Sequence, residues 1–175
     1  MESLIRREIE HAREGRQGQI KAKMNSLVDP EIIKLLYEAS SAGVSIDLIV
    51  RGMCSLYPGR DTISENISVV SIIGQFLEHS RIFWFGNGGS PEAYIGSADW
   101  MPRNLDRRVE AVTPVEAPEL RKKLERLLDL YLQDNRGAWD MKSDGSFVQR
   151  HPGDGEELNS QVQLIDLWSK GVPMS

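Results

Sequence analysis

A strand–helix–strand pattern between residues 20 and 50 constrains the fold more than any other part of the chain. Apolar and basic residues alternate over residues 20–24, as they do in a strand with one buried face. Asp29 is a good N-cap ahead of Pro30, which suits the first position of a helix. Gly43 is well placed to end that helix, and residues 44–50 alternate again as a second strand. The pattern predicts a parallel βαβ unit and therefore an α/β fold.

The size and composition of the chain predict one globular domain. A chain of 175 residues with 40% apolar and 27% charged residues can bury a core of its own. We predict a single domain over residues 1–175, with residues 1–19 as a candidate remnant of a preceding segment. Because Cys54 is the one cysteine of the sequence, an internal disulfide or a thiolate zinc cluster is excluded.

The charge and the apolar runs limit the location and the partners. No apolar run reaches the roughly 18 residues of a membrane span, and the charged first residues do not form a secretory signal. We therefore predict a cytoplasmic protein without a membrane span. The net charge of −5 argues against nucleic-acid binding, which favours a basic surface. A local basic pocket stays possible, because its potential depends on the charges that converge there.

The remaining elements follow from shorter patterns. Residues 2–14 predict either a short charged helix or a frayed end. A third strand is predicted from Ile67, and it runs into a short helix near Phe76 and Leu77. A central buried strand follows over 82–85, with a hairpin partner over 93–95. The last elements of this part are a helical turn over 102–105 and a short strand over 109–112 that is stopped by Pro114.

Two further helices and an edge strand are predicted after Pro118. The apolar stripe of the first helix consists of Leu120, Leu124, Leu127, Leu128 and Tyr131. Phe147 and Val148 indicate an edge strand. A last helix is predicted over 158–168, with Val162, Ile165 and either Trp168 or Leu158 on one side.

Arg51 and His79 are the residues with the best placement for chemistry. Arg51 directly follows the second strand, and ligands of open α/β sheets bind beyond the carboxyl ends of strands. An arginine there can fork onto phosphate oxygens, or it can pair with a surface carboxylate. His79 precedes the buried strand and can transfer a proton or face a phosphate, or it can cap the strand end. We expect His11 and His151 to be solvated.

Several other chemistries have no signature in the sequence. A P-loop, a dinucleotide fingerprint followed by a helix, and a Ser-His-Asp triad with an elbow turn are all missing. No His, Cys and Asp cluster has metal-ligand spacing, so no metal-binding residue is predicted. If the chain handles phosphate, arginines and one histidine must do it.

Five short segments together carry a resemblance to a known family. They are DLIVRG (47–52), FLEHSR (76–81), NGG (87–89), SADWM (97–101) and RNLDRR (103–108). The chain resembles the C-terminal domain of bacterial polyphosphate kinases of the first type from about Lys21 to Leu132, and more weakly to its end. Domains of that family are similar to halves of phospholipase D. The resemblance implies a phospholipase-D-like half with a mixed β-sheet flanked by helices.

The resemblance also implies a function and a set of site residues. The family moves the terminal phosphate of ATP onto polyphosphate, reversibly, through a phosphohistidine of a preceding domain. By resemblance, His79 is catalytic, and Arg51, His79, Arg108 and Arg107 contact the phosphates of ATP or ADP. Mg²⁺ would come with ATP and be held by phosphates and water. The partners implied are polyphosphate and the remaining domains of a homo-oligomeric parent enzyme, without which this chain is expected to be inactive.

Two alternative functions belong to other classes. The first is a phospholipase-D-like phosphodiesterase half-site that is completed by dimerisation. Arg81 stands where that superfamily has the lysine of His-x-Lys, and no aspartate follows at the expected spacing, which argues against hydrolysis of phosphodiesters. The second is a non-catalytic phosphate-binding or interaction module that uses the leucine stripe of residues 120–131 as its docking face.

Overall fold

The structure, a computed structural model, describes residues 1–171, so the last four residues of the predicted domain 1–175 lie outside the described range. Its helices are α1 (Glu2–Arg13), α2 (Pro30–Ser41), α3 (Pro102–Asp106), α4 (Pro118–Gln133) and α5 (Ser160–Ser169). Its strands are β1 (Gln19–Met24), β2 (Ser45–Val50), β3 (Ile67–Ile72), β4 (Ile82–Phe85), β5 (Glu92–Gly96), β6 (Val112–Pro114), β7 (Ala138–Met141) and β8 (Phe147–Gln149).

The strands form one mixed sheet in the order β6-β5-β4-β1-β2-β3-β7-β8. β1, β2 and β3 are parallel, and the other neighbours are antiparallel. α2 connects the parallel strands β1 and β2, which confirms the predicted βαβ unit. The side chain of Asp29 caps α2 by accepting hydrogen bonds from the backbone N–H groups of Glu31 and Ile32 at 3.1 and 2.9 Å.

Helices cover both faces of the sheet. α1 and α2 pack on one face over a large apolar core, and α4 and α5 pack on the other face over a smaller one. α1 is anchored because Ile5 and Ile9 are buried in the larger core. The buried carboxylate of Glu8 also accepts hydrogen bonds from the backbone N–H groups of Gln19 and Asn87. The predicted charged helix is therefore packed rather than frayed.

The segment between β3 and β4 differs from its prediction. No helix forms near Phe76 and Leu77, where residues 74–76 bend and residues 77–81 have no regular secondary structure. The side chain of Gln161 on α5 accepts a hydrogen bond from the Phe76 N–H at 3.0 Å and donates one to the Phe76 carbonyl at 2.8 Å. Because Gln161 satisfies this peptide, the segment is stable without helical hydrogen bonds.

Two strands were placed wrongly or missed. The strand predicted over 109–112 begins only at Val112, since the backbone of Ala111 is occupied by hydrogen bonds with Ser97. Pro114 lies within this edge strand, where a missing N–H is tolerated. β7 pairs with β3 and was missed, because four residues carry too little alternation to be recognised. The predicted strand at Phe147 is confirmed as β8 at the sheet edge.

The apolar face predicted for α4 is confirmed except at Leu120, whereas the face predicted for α5 differs. On α4, Leu128 and Tyr131 are buried and Leu124 and Leu127 pack against the same core, whereas Leu120 is exposed. On α5 the predicted face is wrong, because Val162, Ile165 and Trp168 are all exposed, Trp168 to 79%. α5 is held instead through Ser160 and Gln161, which are buried. Within residues 1–171, no helix combines the length and the apolar character needed to cross a membrane.

Candidate phosphate-binding site

The sheet topology brings four chain segments to one edge of the sheet, at the carboxyl ends of β1, β2 and β3. β1, β2 and β3 are parallel, so the residues that follow them lie at the same edge. β4 runs antiparallel to β1, with Ile82 opposite Lys23, so the residues before β4 reach that edge too. β5 returns there because Ile95 lies opposite Ile82. The edge thus collects Asn25, Arg51, the 73–81 segment and the residues after β5.

Arg51 and His79 are in direct contact at this edge. Nη2 of Arg51 lies 3.2 Å from Nδ1 of His79, although 28 positions separate the two residues in sequence. A guanidinium can only donate, so the Nδ1 atom of His79 accepts and its ring proton is on Nε2. His79 is exposed and Arg51 is half-buried. The pair therefore presents N–H donors toward solvent.

Asn25 holds the guanidinium of Arg51 from behind. Nε of Arg51 donates to Oδ1 of Asn25 at 2.8 Å. The Gly52 N–H donates to the Asn25 carbonyl at 2.8 Å, and a Cβ added at Gly52 would lie only 2.7 Å from that oxygen. A side chain at position 52 would therefore push the backbone apart beside Arg51. This close approach requires glycine.

Asp99 is the buried carboxylate that connects the cluster. Its oxygens accept hydrogen bonds from the backbone N–H of Asn25 at 2.7 Å and from the Asn25 amide at 3.1 Å. Nε and Nη2 of Arg81 donate to it, each at 3.2 Å. Burial raises the pKa of Asp99, but the hydrogen bonds from Arg81 and Asn25 outweigh burial and hold the pKa below its ordinary value. Asp99 is therefore an ionised anchor rather than an acid catalyst.

Lys23 lies beneath the histidine segment and is 1% exposed. Its Nζ donates to Oγ of Ser80 at 2.9 Å and lies 3.1 Å from the carboxylate of Glu78. Burial lowers the pKa of Lys23, and the charges of Arg51 and Arg81 act in the same direction, while Glu78 raises it. Lys23 thus holds the 78–81 segment through Glu78 and Ser80, and Asp99 holds it through Arg81.

Arg107 and Arg108 lie apart from the contacts of this cluster. Both are exposed and follow α3 in a short bend. Glu110 accepts hydrogen bonds from Ser97 and Asn104, which lower its pKa, and the charge of Arg108 adds to this. Among the contacts of the described residues, none joins Arg107 or Arg108 to Arg51 or His79. The structure brings the predicted pair Arg51 and His79 together, but not the full predicted set.

The other two histidines have different environments. His151 is exposed, as expected. His11 was expected to be solvated, which is wrong, because it is 8% exposed and its Nε2 lies 3.2 Å from Oδ1 of Asn87. It packs α1 against the turn after β4 and is far from the edge that carries His79.

A groove adjoins the Arg51–His79 pair. It has a volume of about 330 Å³ and is lined by Arg51 and residues 72–78. Within residues 1–171, no three His, Cys, Asp or Glu side chains are grouped so that they could hold a metal ion. The carboxylates of Glu78 and Asp99 are engaged by Lys23 and Arg81. The edge therefore offers cationic and N–H groups, which suit a phosphate ligand.

Sequence reasoning missed Lys23, Asn25 and the role of Asp99. The basic residues that alternate along β1 were a usable signal, because a lysine on a buried strand face needs a partner. Asn25 directly follows β1, as Arg51 follows β2, so the same placement rule pointed to it. The pairing of Asp99 with Arg81 joins the residue before a β-hairpin to a residue after it and has no local signature.

Known proteins identify the family. The sequence profile described as "Polyphosphate kinase C-terminal domain 2" matches residues 1–161. The chain belongs to this family. It is 80% identical to a polyphosphate kinase of Parasynechococcus marenigrum (strain WH8102) over an alignment of 176 positions, which covers 100% of this chain and 25% of that relative. The chain thus spans about a quarter of the length of that relative.

Solved structures confirm the fold. The polyphosphate kinase of Porphyromonas gingivalis matches with a TM-score of 0.91 and 43% identity, over 97% of this chain and 26% of that one. A phospholipase D family member, Nuc from Salmonella typhimurium, matches with a TM-score of 0.56 and 17% identity, over 77% of this chain and 89% of that one. The predicted resemblance and the predicted phospholipase-D-like mixed sheet are confirmed.

Proposed function

We propose that this chain forms the nucleotide-binding part of a polyphosphate kinase active site, in which Arg51 and His79 bind the phosphates of ATP or ADP. The observation that carries the proposal is the contact between Arg51 and His79 at the sheet edge. In the parent enzyme, the terminal phosphate of ATP would pass to polyphosphate through a histidine of another domain. Membership of the polyphosphate kinase family supports this reaction class.

The geometry suits phosphoryl transfer. Such a reaction asks the protein mainly to position the phosphates and to stabilise negative charge. Asn25 and His79 occupy only part of the donor set of Arg51, so its remaining N–H groups can fork onto phosphate oxygens. Nε2–H of His79 can donate a hydrogen bond to the oxygen that leaves with ADP and stabilise the negative charge that develops there. Arg107 and Arg108, by resemblance, would add charge to the same phosphates.

Mg²⁺ does not fit the residues of this edge as a protein-held ion. It prefers carboxylate and other oxygen ligands, and the nearby carboxylates already bind cationic side chains. We therefore assign no step of the reaction to a metal held by this chain. Mg²⁺ would arrive with ATP, coordinated by its phosphates and by water.

Binding of ATP by variants of the chain tests the proposal. Removing a hydrogen bond to a charged group costs about 1.5–3 kcal/mol, so Arg51→Ala and His79→Ala should each weaken ATP binding by roughly tenfold to a hundredfold in calorimetry. Arg13→Ala is the matched control, since Arg13 forms an exposed ion pair with Glu38 on other elements. If both site variants bind ATP like the control, the site is elsewhere and a docking or interaction role becomes the better account.

A second assay concerns the reaction class. The chain alone should not synthesise polyphosphate from radiolabelled ATP, because the proposed phosphohistidine belongs to another domain. Within a full-length polyphosphate kinase that carries this chain, His79→Ala should abolish transfer while the fold is kept. Robust synthesis by the chain alone, or near-normal turnover of that variant, would contradict the proposal. Hydrolysis of a chromogenic phosphodiester would favour the phospholipase-D-like alternative.

A further inference from the structure

Lys23 is a buried charge that the proposed function leaves without a role. Its ammonium contacts Glu78 and Ser80, the residues on either side of His79. It also lies 5.0 Å from the centre of the Tyr131 ring on α4. With 1% of the residue exposed, Lys23 cannot touch a bound phosphate without a rearrangement. Its direct contacts reach the site through the segment that it holds.

The chain geometry explains how an effect of Lys23 could reach His79. Residues 77–81 belong to no helix or strand, so side-chain contacts hold this segment in place. Glu78 and Ser80 both contact Lys23, whereas the exposed His79 between them contacts Arg51. The carbonyl of His79 is fixed as well, because it accepts a hydrogen bond from Nη1 of Arg81 at 3.0 Å.

The Lys23 contacts are backed by the helices on that face of the sheet. Glu78 accepts a hydrogen bond from Nε2 of Gln161 on α5 at 2.7 Å and is hydrogen-bonded to the hydroxyl of Tyr131. One ammonium thus connects β1, α4, α5 and the histidine segment. A single hydrophobic contact would fix only how far the 78–81 segment lies from the sheet. Hydrogen bonds are directional, so this network also fixes how the segment is oriented.

We propose that Lys23 is a positioning residue: by holding Glu78 and Ser80 it fixes the orientation in which His79 is presented to Arg51 and to nucleotide phosphates. The expected effect on nucleotide binding rests on the proposed function, whereas the expected effect on the orientation of His79 does not. The orientation of His79 can be measured without any ligand.

The test compares Lys23→Met with Lys21→Met in the full chain. Lys21 lies two residues earlier on β1, is 8% exposed and bonds Asp129 at 2.6 Å, so it is a matched buried lysine without a contact to the 78–81 segment. The first measurement is the ¹⁵N spectrum of the His79 ring without ligand. Wild type and Lys21→Met should show one tautomer, with the proton on Nε2, and Lys23→Met should show a mixture of tautomers.

Hydrogen exchange and ATP affinity complete the test. In Lys23→Met, amides 78–81 should exchange about tenfold faster, and ATP should bind about tenfold more weakly, with neither change in Lys21→Met. If Lys23→Met does not fold, the double variant Lys23→Met/Glu78→Gln removes the unpaired carboxylate and still leaves Ser80 unheld. A wild-type ring spectrum with wild-type exchange in either variant overturns the proposal.

The outcomes also separate this proposal from the proposed function. If the ring spectrum changes in Lys23→Met while His79→Ala binds ATP normally, Lys23 positions His79 but the assigned nucleotide site is wrong. If His79→Ala loses ATP binding while Lys23→Met keeps both the spectrum and the affinity, the nucleotide site stands and the positioning role fails.

Discussion

Two buried carboxylates, Asp99 and Asp134, hold this molecule together in different ways. Asp134 accepts hydrogen bonds from the backbone N–H groups of Arg136, Gly137 and Ala138 and from both the N–H and the hydroxyl of Ser160. It fixes the turn between α4 and β7 to the start of α5. Asp99 instead binds the side chains of Asn25 and Arg81, which contact the Arg51–His79 pair.

The difference teaches where stability and function are coupled. Every hydrogen-bond partner of the Asp134 carboxylate is a backbone group or the hydroxyl of buried Ser160, so these hydrogen bonds end within the scaffold. The partners of Asp99 continue to residues that face solvent at the candidate site. A substitution at Asp134 should therefore change stability alone, and a substitution at Asp99 should change stability and ligand binding together.

The largest effect is expected for Asp134→Asn. The amide would turn an acceptor into a donor facing backbone N–H groups, and each buried donor left unsatisfied costs about 1–3 kcal/mol. The free energy of unfolding should fall by about 3 kcal/mol in urea titrations. ATP affinity, measured where the variant is still folded, should match wild type. A variant that loses ATP affinity while folded would contradict the separation of the two carboxylates.

Asp99→Asn should cost less stability and more function. Arg81 is 15% exposed and can recover water contacts, so we expect a loss of about 2 kcal/mol in unfolding free energy. Since Asn25 and Arg81 lose their common anchor, ATP should also bind about tenfold more weakly. The comparison with Asp134→Asn under the same conditions is the control. Equal ATP affinities in the two variants would show that Asp99 is only structural.

The fold of the molecule could be predicted from the sequence, whereas the hydrogen bonds of these two carboxylates could not. The βαβ unit was predictable because the cap at Asp29 and the alternation of β1 and β2 are local signals. The fold followed from them and from the family resemblance. The meeting of Arg51 and His79 was expected from the rule on strand ends and from the family resemblance together.

The supporting network could not be predicted in the same way. Asp99 reaches Asn25 across 74 positions and Lys23 reaches Ser80 across 57, and no local pattern encodes such pairs. The exposed apolar side of α5 misled the assignment of its packed face, because Gln161 and Ser160 hold the helix through hydrogen bonds. Polar anchoring replaced the apolar stripe on which the prediction depended.

The pH dependence of the unfolding free energy at acid pH is a third test of the comparison between Asp99 and Asp134. Burial raises the pKa of each carboxyl, but hydrogen bonds outweigh it and keep the pKa of Asp99 and of Asp134 below ordinary values. The unfolded state therefore binds more protons below about pH 4, and the stability present above that pH is lost as pH falls through the folded pKa values. Asp134→Asn and Asp99→Asn should each flatten the slope of unfolding free energy against pH in that range. An unchanged slope in either variant would show that its carboxyl does not titrate with a lowered pKa.

The smallest effect is expected for Arg108→Ala, which sharpens the contrast between anchored and unanchored residues of the site. Arg108 is exposed and, among the contacts of the described residues, has none with Arg51 or His79, so unfolding free energy should change by less than about 0.5 kcal/mol. If Arg108 approaches the phosphates of bound ATP, it contributes through a charge that solvent and salt screen. ATP affinity should then fall by only a few-fold in Arg108→Ala, and the loss should disappear in high salt.

The control is Arg136→Ala, which removes an exposed arginine that pairs with Glu157 on the scaffold side. A loss as large as that of Arg51→Ala, and independent of salt, would instead mean that the segment after α3 closes onto the nucleotide and becomes as fixed as the residues that Asp99 anchors.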